Sequence, residues 1–375
     1  MTRPIPDLAE AHPAPTLRVR QPSLAVTMPM TMLLVDYALS FKAMPTPELT
    51  ALAEQLPSDV VDASWPVRAS MAHGAVLRPL LLHQLPADHP GHDDWPALRS
   101  WIAGWSDGFV HGVVDFGVDS VMHYEAPPRD PEPTTADIIE LPGPSETARR
   151  DGAEVLRWWD VPDPEERAGE LLDARGFKRS LLALLDEIWE LWLARVWPAE
   201  LPRLRATVAA APPPPPGIGP VQWITLVSGL RPDDEYSRIA ERASDVAVVP
   251  SPGLGRSLSV FSETTTYFVY TPQSTGSQPD SDRPGIAIGR LADLATAMTA
   301  LGERTRLAIV LHLLDRGPLL MQQIADALDV HQSTISRQVN ALRKAGIVGV
   351  QSDRRVSVDR AAVRRTCETL LAALD

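Results

Sequence analysis

The spacing of apolar residues divides the chain into segments of different period. In "PALRSWIAGWSDGFVHGVVDF", Leu98, Ile102, Trp105, Phe109, Val113 and Phe116 recur at three- and four-residue steps, which predicts one amphipathic helix. "FKRSLLALLDEIWELWLARVW", Phe177 to Trp197, repeats the step with a broader apolar face, the pattern of a helix buried on much of its circumference. The runs "VQWITLVSGL", "DVAVVPS", "SLSVFSE" and "TTYFVYTP" are short, rich in Val, Thr and aromatics, and bounded by Gly, Pro or Asp, so a small β-sheet is expected there. Between the two helices, "EAPPRDPEPTTADIIELPGP" holds too many prolines for regular structure and reads as a long surface loop. "APPPPPG", Ala211 to Gly217, is expected to be a stiff polyproline II spacer, since no flanking Arg or Lys supports a partner-groove motif.

From Arg290 the pattern tightens. "LADLATAMTAL" and "ERTRLAIVLHLLDRG" predict two helices, "LLMQQIADALDV" a third, and "HQSTISRQVNALRKAG" a fourth that stops at Gly346. "IVGVQSDRRVSVD" then gives two short strands around a Ser352-Asp353 turn, and "RAAVRRTCETLLAAL" a closing helix. Helices, a tight turn, a further helix and a hairpin in this order make a winged helix-turn-helix. The expected class is therefore α+β: an α-rich N-terminal domain with a small β-sheet over residues 1–275, a linker over 276–289, and a winged helix-turn-helix over 290–375. The Ser-, Pro- and Gly-rich "TPQSTGSQPDSDRPG" carries the change of composition.

Charge sharpens that division. The chain of 375 residues has a net charge of −13, which argues against a nucleic-acid partner if spread evenly. It is not: from Arg290 onward 12 Lys and Arg face 9 Asp and Glu, a net of +3, which leaves −16 for the remainder. On a helical wheel of about 100° per residue, Ile335, Val339 and Leu342 fall in one sector and face a core. Ser333, Ser336, Arg337, Asn340 and Lys344 gather opposite them, with Gln332 at the N-terminal tip. That face contains no carboxylate, whereas an ordinary solvated face mixes Glu with Lys, so contact with double-stranded DNA is expected.

"LGERTRLAIVLHLL", "QQIADALDVHQSTISRQVNALRKAGIV" and "SDRRVSV" together resemble the winged helix of ArsR-type bacterial transcription regulators over roughly the last 80 residues. The resemblance implies that Gln332, Ser333, Thr334, Ser336, Arg337 and Asn340 form a recognition surface in the major groove. It also implies that Arg354 and Arg355, at the hairpin, reach phosphate or the minor groove. Asp329 stands where the turn commonly carries Gly, and modest strain is expected from it. Metal-sensing members carry paired cysteines; the helix "MQQIADAL" has none and Cys367 is alone, so neither a metal nor a cofactor is expected. "LLALLDEIWELWLARVWPAELPRL" and "DVAVVPSPGLG" resemble long ArsR-type regulators with an N-terminal domain of unknown function. The whole is expected to be a cytoplasmic homodimer acting as a repressor, with a small-molecule or protein effector at the N-terminal domain and no membrane segment.

Other stretches carry residue types with chemistry of their own. "GWSDG", Gly104 to Gly108, fits the G-x-S-x-G nucleophile elbow, but that motif needs a strand before the Ser; Ser106 is expected inside a helix, and the chain is expected not to be an enzyme. "HPGHDDW", His89 to Trp95, has metal-ligating residue types, yet Pro and Gly make a solvent loop the simpler reading. Trp101, Trp105, Trp189, Trp192 and Trp197 line an effector pocket, bury a dimer interface or pack an ordinary core, and core packing needs the fewest assumptions. A winged helix serving protein contacts is the alternative to DNA.

Overall fold

The computed structural model describes residues 15–41, 46–125, 134–159, 161–272, 297–298, 300–328, 330, 332–350 and 355–372. The chain divides into two compact units, Met1–Gly285 and Ile286–Asp375. Its class is α+β. The first unit runs β1 (Thr16–Val19), α1 (Leu24–Phe41), α2 (Pro47–Gln55), α3 (Ser58–Ala63), α4 (Trp65–Ser70), α5 (Leu77–Gln84), α6 (Trp95–Ala103), α7 (Asp107–Glu125) and α8 (Glu146–Trp158). It continues through α9 (Pro164–Leu172), α10 (Ala174–Ile188), α11 (Ala194–Ala210), α12 (Pro220–Ser228), α13 (Asp234–Arg242), β2 (Asp245–Pro250), β3 (Leu258–Ser262) and β4 (Thr266–Tyr270). Among the described residues no helix is long and apolar enough to cross a membrane.

The sheet of this unit has the order β1-β2-β4-β3, parallel from β1 to β4 and antiparallel between β4 and β3. Every residue of β4 and all but the first of β2 are buried, which is why both read as continuous apolar runs. Three of the four expected strands form. The fourth, "VQWITLVSGL", is helix α12: Pro220 starts it at a position where a missing N–H costs nothing, and Gly229 ends it in the left-handed conformation (φ 71°). Its place in the sheet is taken by β1, an edge strand whose two apolar residues are interleaved with Thr16 and Arg18 and give little period to read.

Two helical readings also change. The single helix expected from Pro96 to Phe116 is two, α6 and α7, broken at Gly104–Ser106; the apolar period survives because Trp105 stays buried across the break. The helix expected from Phe177 to Trp197 forms, but its middle, Trp189–Leu193, is a π-turn between α10 and α11. Of the proline-rich loop, residues 134–144 are described and hold no regular element beyond one short 3-10 turn, Thr135–Asp137; residues 126–133 and the linker lie outside the described residues.

At the centre, α1 is buried on every side from Leu24 to Asp36 and packs on α2 and α5. Its apolar surround makes Asp36 costly unless paired. Arg68 of α4 pairs with one carboxylate oxygen, and Nδ1 of His73 lies 2.6 Å from the other. The Arg68 guanidinium also stacks on the Trp65 ring, 3.8 Å from its centroid. To deliver His73, the turn after α4 holds Ala72 and His73 at φ 44° and 56°, a left-handed strain. Gly74 follows at φ 110°, where a Cβ would sit 2.3 Å from the Pro29 carbonyl oxygen.

Burial by itself would raise the Asp36 pKa; His73 and Arg68 outweigh it and hold the carboxyl below its ordinary value. A carboxyl depressed in the folded state contributes stability above its unfolded pKa and loses it as pH falls through the folded value. Stability of the N-terminal unit is therefore expected to decline below about pH 4 in denaturant titrations. Asp36→Ala, which strands Arg68, is expected to cost about 3–5 kcal/mol and to flatten that acid limb.

Candidate nucleic-acid interface

The C-terminal unit contains α14 (Arg304–Arg316), β5 (Leu319–Leu320), α15 (Met321–Leu328), α16 (Gln332–Lys344), β6 (Val348–Val350), β7 (Arg355–Val358) and α17 (Arg360–Ala372). Of the first expected helix, residues 297, 298, 300 and 301 are helical and most of the others lie outside the described residues. The expected third helix begins at Met321, because Leu319 and Leu320 pair with Val356 and Arg355 and add a third strand to the hairpin, in the order β5-β7-β6.

The core of this unit seats α16. Ile335, Val339 and Leu342 are 0% exposed and pack with Ile309, Val310, Leu313, Ile324, Ile347 and Val356. Beyond the helix, Gly346 takes φ 65°, and the amides of Gly346 and Ile347 bond back to the carbonyls of Arg343 (2.9 Å) and Leu342 (2.9 Å), closing the C-terminus. Burying three positions on one side leaves the opposite side to solvent. Gln332, Arg337 and Asn340 are exposed; Thr334 and Ser336 are partly so; Ser333 and Lys344 belong to the same helix.

Arg337 and Arg343 have no ion-pair partner among the described residues. Arg343 was not among the expected contacts. It lies about 80° round the helix from Ile335, next to Ser336, and its signal was the "LRK" run itself. Of the expected wing pair, Arg354 lies outside the described residues, as do Asp329 and the Ser352-Asp353 turn. Arg355 is exposed, but its Nη1 donates to the Pro318 carbonyl at 3.3 Å.

The "GWSDG" stretch is not a strand-turn-helix. Ser106 is not inside a helix as expected but precedes α7 and caps it: its Oγ accepts from the Phe109 amide at 2.9 Å and donates to Glu140 Oε1 at 2.9 Å. The glycines serve packing, since a Cβ on Gly112 would lie 2.0 Å from the Ile139 carbonyl oxygen and one on Gly108 3.0 Å from that of Leu141.

In "HPGHDDW" every polar residue has a protein partner. His92 Nδ1 meets Ser23 Oγ at 2.7 Å while Nε2 donates to the Pro86 carbonyl at 3.0 Å; His89 accepts from Gly91, Asp94 caps α6, and Asp93 pairs with Arg205. The tryptophans fall into separate contacts. Trp101 and Trp105 meet edge-on, Trp189 stacks on Trp95, Trp192 covers Gly253, and Trp197 donates to the Asp93 carbonyl.

Residues 301–351 match the family of the helix-turn-helix domain. The C-terminal unit carries a helix-turn-helix domain. The N-terminal region is similar to a pimeloyl-[acyl-carrier protein] methyl ester esterase of Klebsiella pneumoniae, 30% identical over 154 residues, 36% of this chain and 60% of that protein. The chain thus spans about 60% of the length of that curated relative. No solved structure matches the chain.

The likeness corrects the expectation that the chain is not an enzyme. That expectation rested on the geometry of one short motif, and a likeness to an esterase over 154 residues is not answered by a mismatch at one serine.

Proposed function

We propose that the chain is a sequence-specific regulator of transcription of the ArsR type, a dimeric repressor whose winged helix, over 290–375, reads double-stranded DNA with α16. The observation that carries this reading is the division of α16. Three fully buried apolar residues fix it to the core, and the opposite face offers amide, hydroxyl and guanidinium groups without a carboxylate. Arg pairs with guanine and Asn or Gln with adenine in the major groove, each good bidentate pair being worth about 1–3 kcal/mol of discrimination. Gln332, Ser333, Thr334, Ser336, Arg337 and Asn340 supply those groups, and Lys344, Arg354 and Arg355 supply phosphate contacts. In a dimer the two helices would stand about 34 Å apart and read a palindrome-like site. Residues 1–275, joined through 276–289, would receive a small-molecule or protein signal.

Selection of binding sites from a random duplex library with the full chain tests the proposal. Arg337→Ala is expected to weaken binding to the selected site by at least tenfold more than binding to a scrambled duplex. Equal loss on both would make Arg337 a phosphate contact and remove it from base reading.

The esterase likeness favours a second reading for the N-terminal unit, hydrolysis of an ester. On that reading the chain turns over short acyl methyl esters, and Ser106→Ala is expected to leave the rate unchanged, because the Ser106 hydroxyl is engaged as a helix cap. A rate abolished by Ser106→Ala would reinstate the elbow.

A further inference from the structure

A polar staple crosses the helix-turn-helix unit on the flank of α16 away from Ser336 and Asn340. Arg306 stands in the first turn of α14, which Glu303 caps by accepting from the amides of Thr305 at 3.0 Å and Arg306 at 2.9 Å. From this fixed base the guanidinium reaches two other elements. Its Nε donates to the carbonyl of Ala300 at 2.6 Å, and its Nη1 to Oε1 of Gln338 at 3.1 Å. Ala300 is in the segment that enters the unit from the N-terminal side of the chain. Gln338 is on α16, about 60° round the helix from Ile335 and on the side away from Ser336 and Asn340.

The apolar seat and the staple constrain different motions. Burial of Ile335, Val339 and Leu342 holds α16 against the core, but the hydrophobic effect is non-directional and tolerates small rotations of a helix about its axis. Bidentate pairing with a base edge does not tolerate them, because both bonds must lie within hydrogen-bond range at once. A bond from a planar guanidinium to a side chain on the helix flank is directional. The rigid fork also fixes the angle between its two acceptors, which a Lys ammonium on a flexible stem does not.

We propose that Arg306 is a positioning residue that fixes the rotation of α16 against the entering segment through Gln338 and Ala300, and thereby sets the register in which the polar face meets base pairs. This rests on the reading of α16 as a DNA-recognition helix.

The test uses the full chain and a duplex obtained by in vitro selection, with affinity for that duplex divided by affinity for a scrambled one as the readout. Arg306→Lys and Gln338→Leu are each expected to lower this ratio about tenfold, the scale of one hydrogen bond to a charged group. The double variant is expected to lose no more than Arg306→Lys alone, since that substitution already removes the bond to Gln338. Gln338→Leu leaves the Arg306–Ala300 bond in place and is expected to keep the unfolding midpoint, so it decides the matter if Arg306→Lys folds poorly. An unchanged ratio in Gln338→Leu, or losses that add in the double variant, overturns the staple while leaving DNA recognition intact. Failure of the unsubstituted chain to select any site overturns the DNA reading and the staple together.

Discussion

The burial of Ile335, Val339 and Leu342 is the constraint from which the properties of the C-terminal unit follow. Three apolar residues at helical spacing, 0% exposed, determine which side of α16 points outward before any partner is considered. The outward side then holds whatever the remaining positions encode, and here they encode donors and acceptors without an acid. The Gly346 turn ends the helix in time for Ile347 and Val348 to return to the same core, so one small cluster organises α16, the hairpin and the end of α14. The hairpin and the polar face of α16 depend on one seat.

The N-terminal unit is organised by a different kind of interaction. A carboxylate is placed in a helix buried on every side from Leu24 to Asp36 and satisfied by an arginine and a histidine, the histidine delivered by a left-handed turn. Removing one member of such a group leaves a buried charge uncompensated and costs more than the group contributes as a whole, and the group ties α1 to Arg68 of α4 and to the turn that carries His73. The glycines of "GWSDG" and its extension to Gly112 have a comparable role. Gly108 and Gly112 let the segment around Ile139 and Leu141 lie against α7, and no strand precedes Ser106. The esterase likeness returns catalysis to consideration.

Legibility in the sequence followed the strength of the local signal. The helices of the C-terminal unit were legible because each has a strong period and a stop residue, such as Gly317 and Gly346. Strand β1 was not, because an edge strand of four residues with two apolar positions has almost no period. The segment of α12 has the composition of a strand, with Val, Trp and Ile, and the Pro220 and Gly229 punctuation outweighs that composition. The break at Gly104–Ser106 was hidden by a period that continued across it. The face of α16 could be drawn on a wheel, but the staple could not, since Arg306 and Gln338 are 32 residues apart and meet only in the folded unit.

The central claim is that α16 and the wing meet the phosphate-rich groove of a duplex, and its most direct test is the salt dependence of binding by the full chain. Neutralising phosphates releases counterions, so the logarithm of affinity should fall linearly with the logarithm of salt concentration, by about 0.9 for each phosphate neutralised. With Lys344, Arg354 and Arg355 assigned to phosphate and Arg343 exposed on the same helix as Lys344, a slope of about −3 or steeper is predicted. A flat response would contradict the account and assign the winged helix to protein contacts.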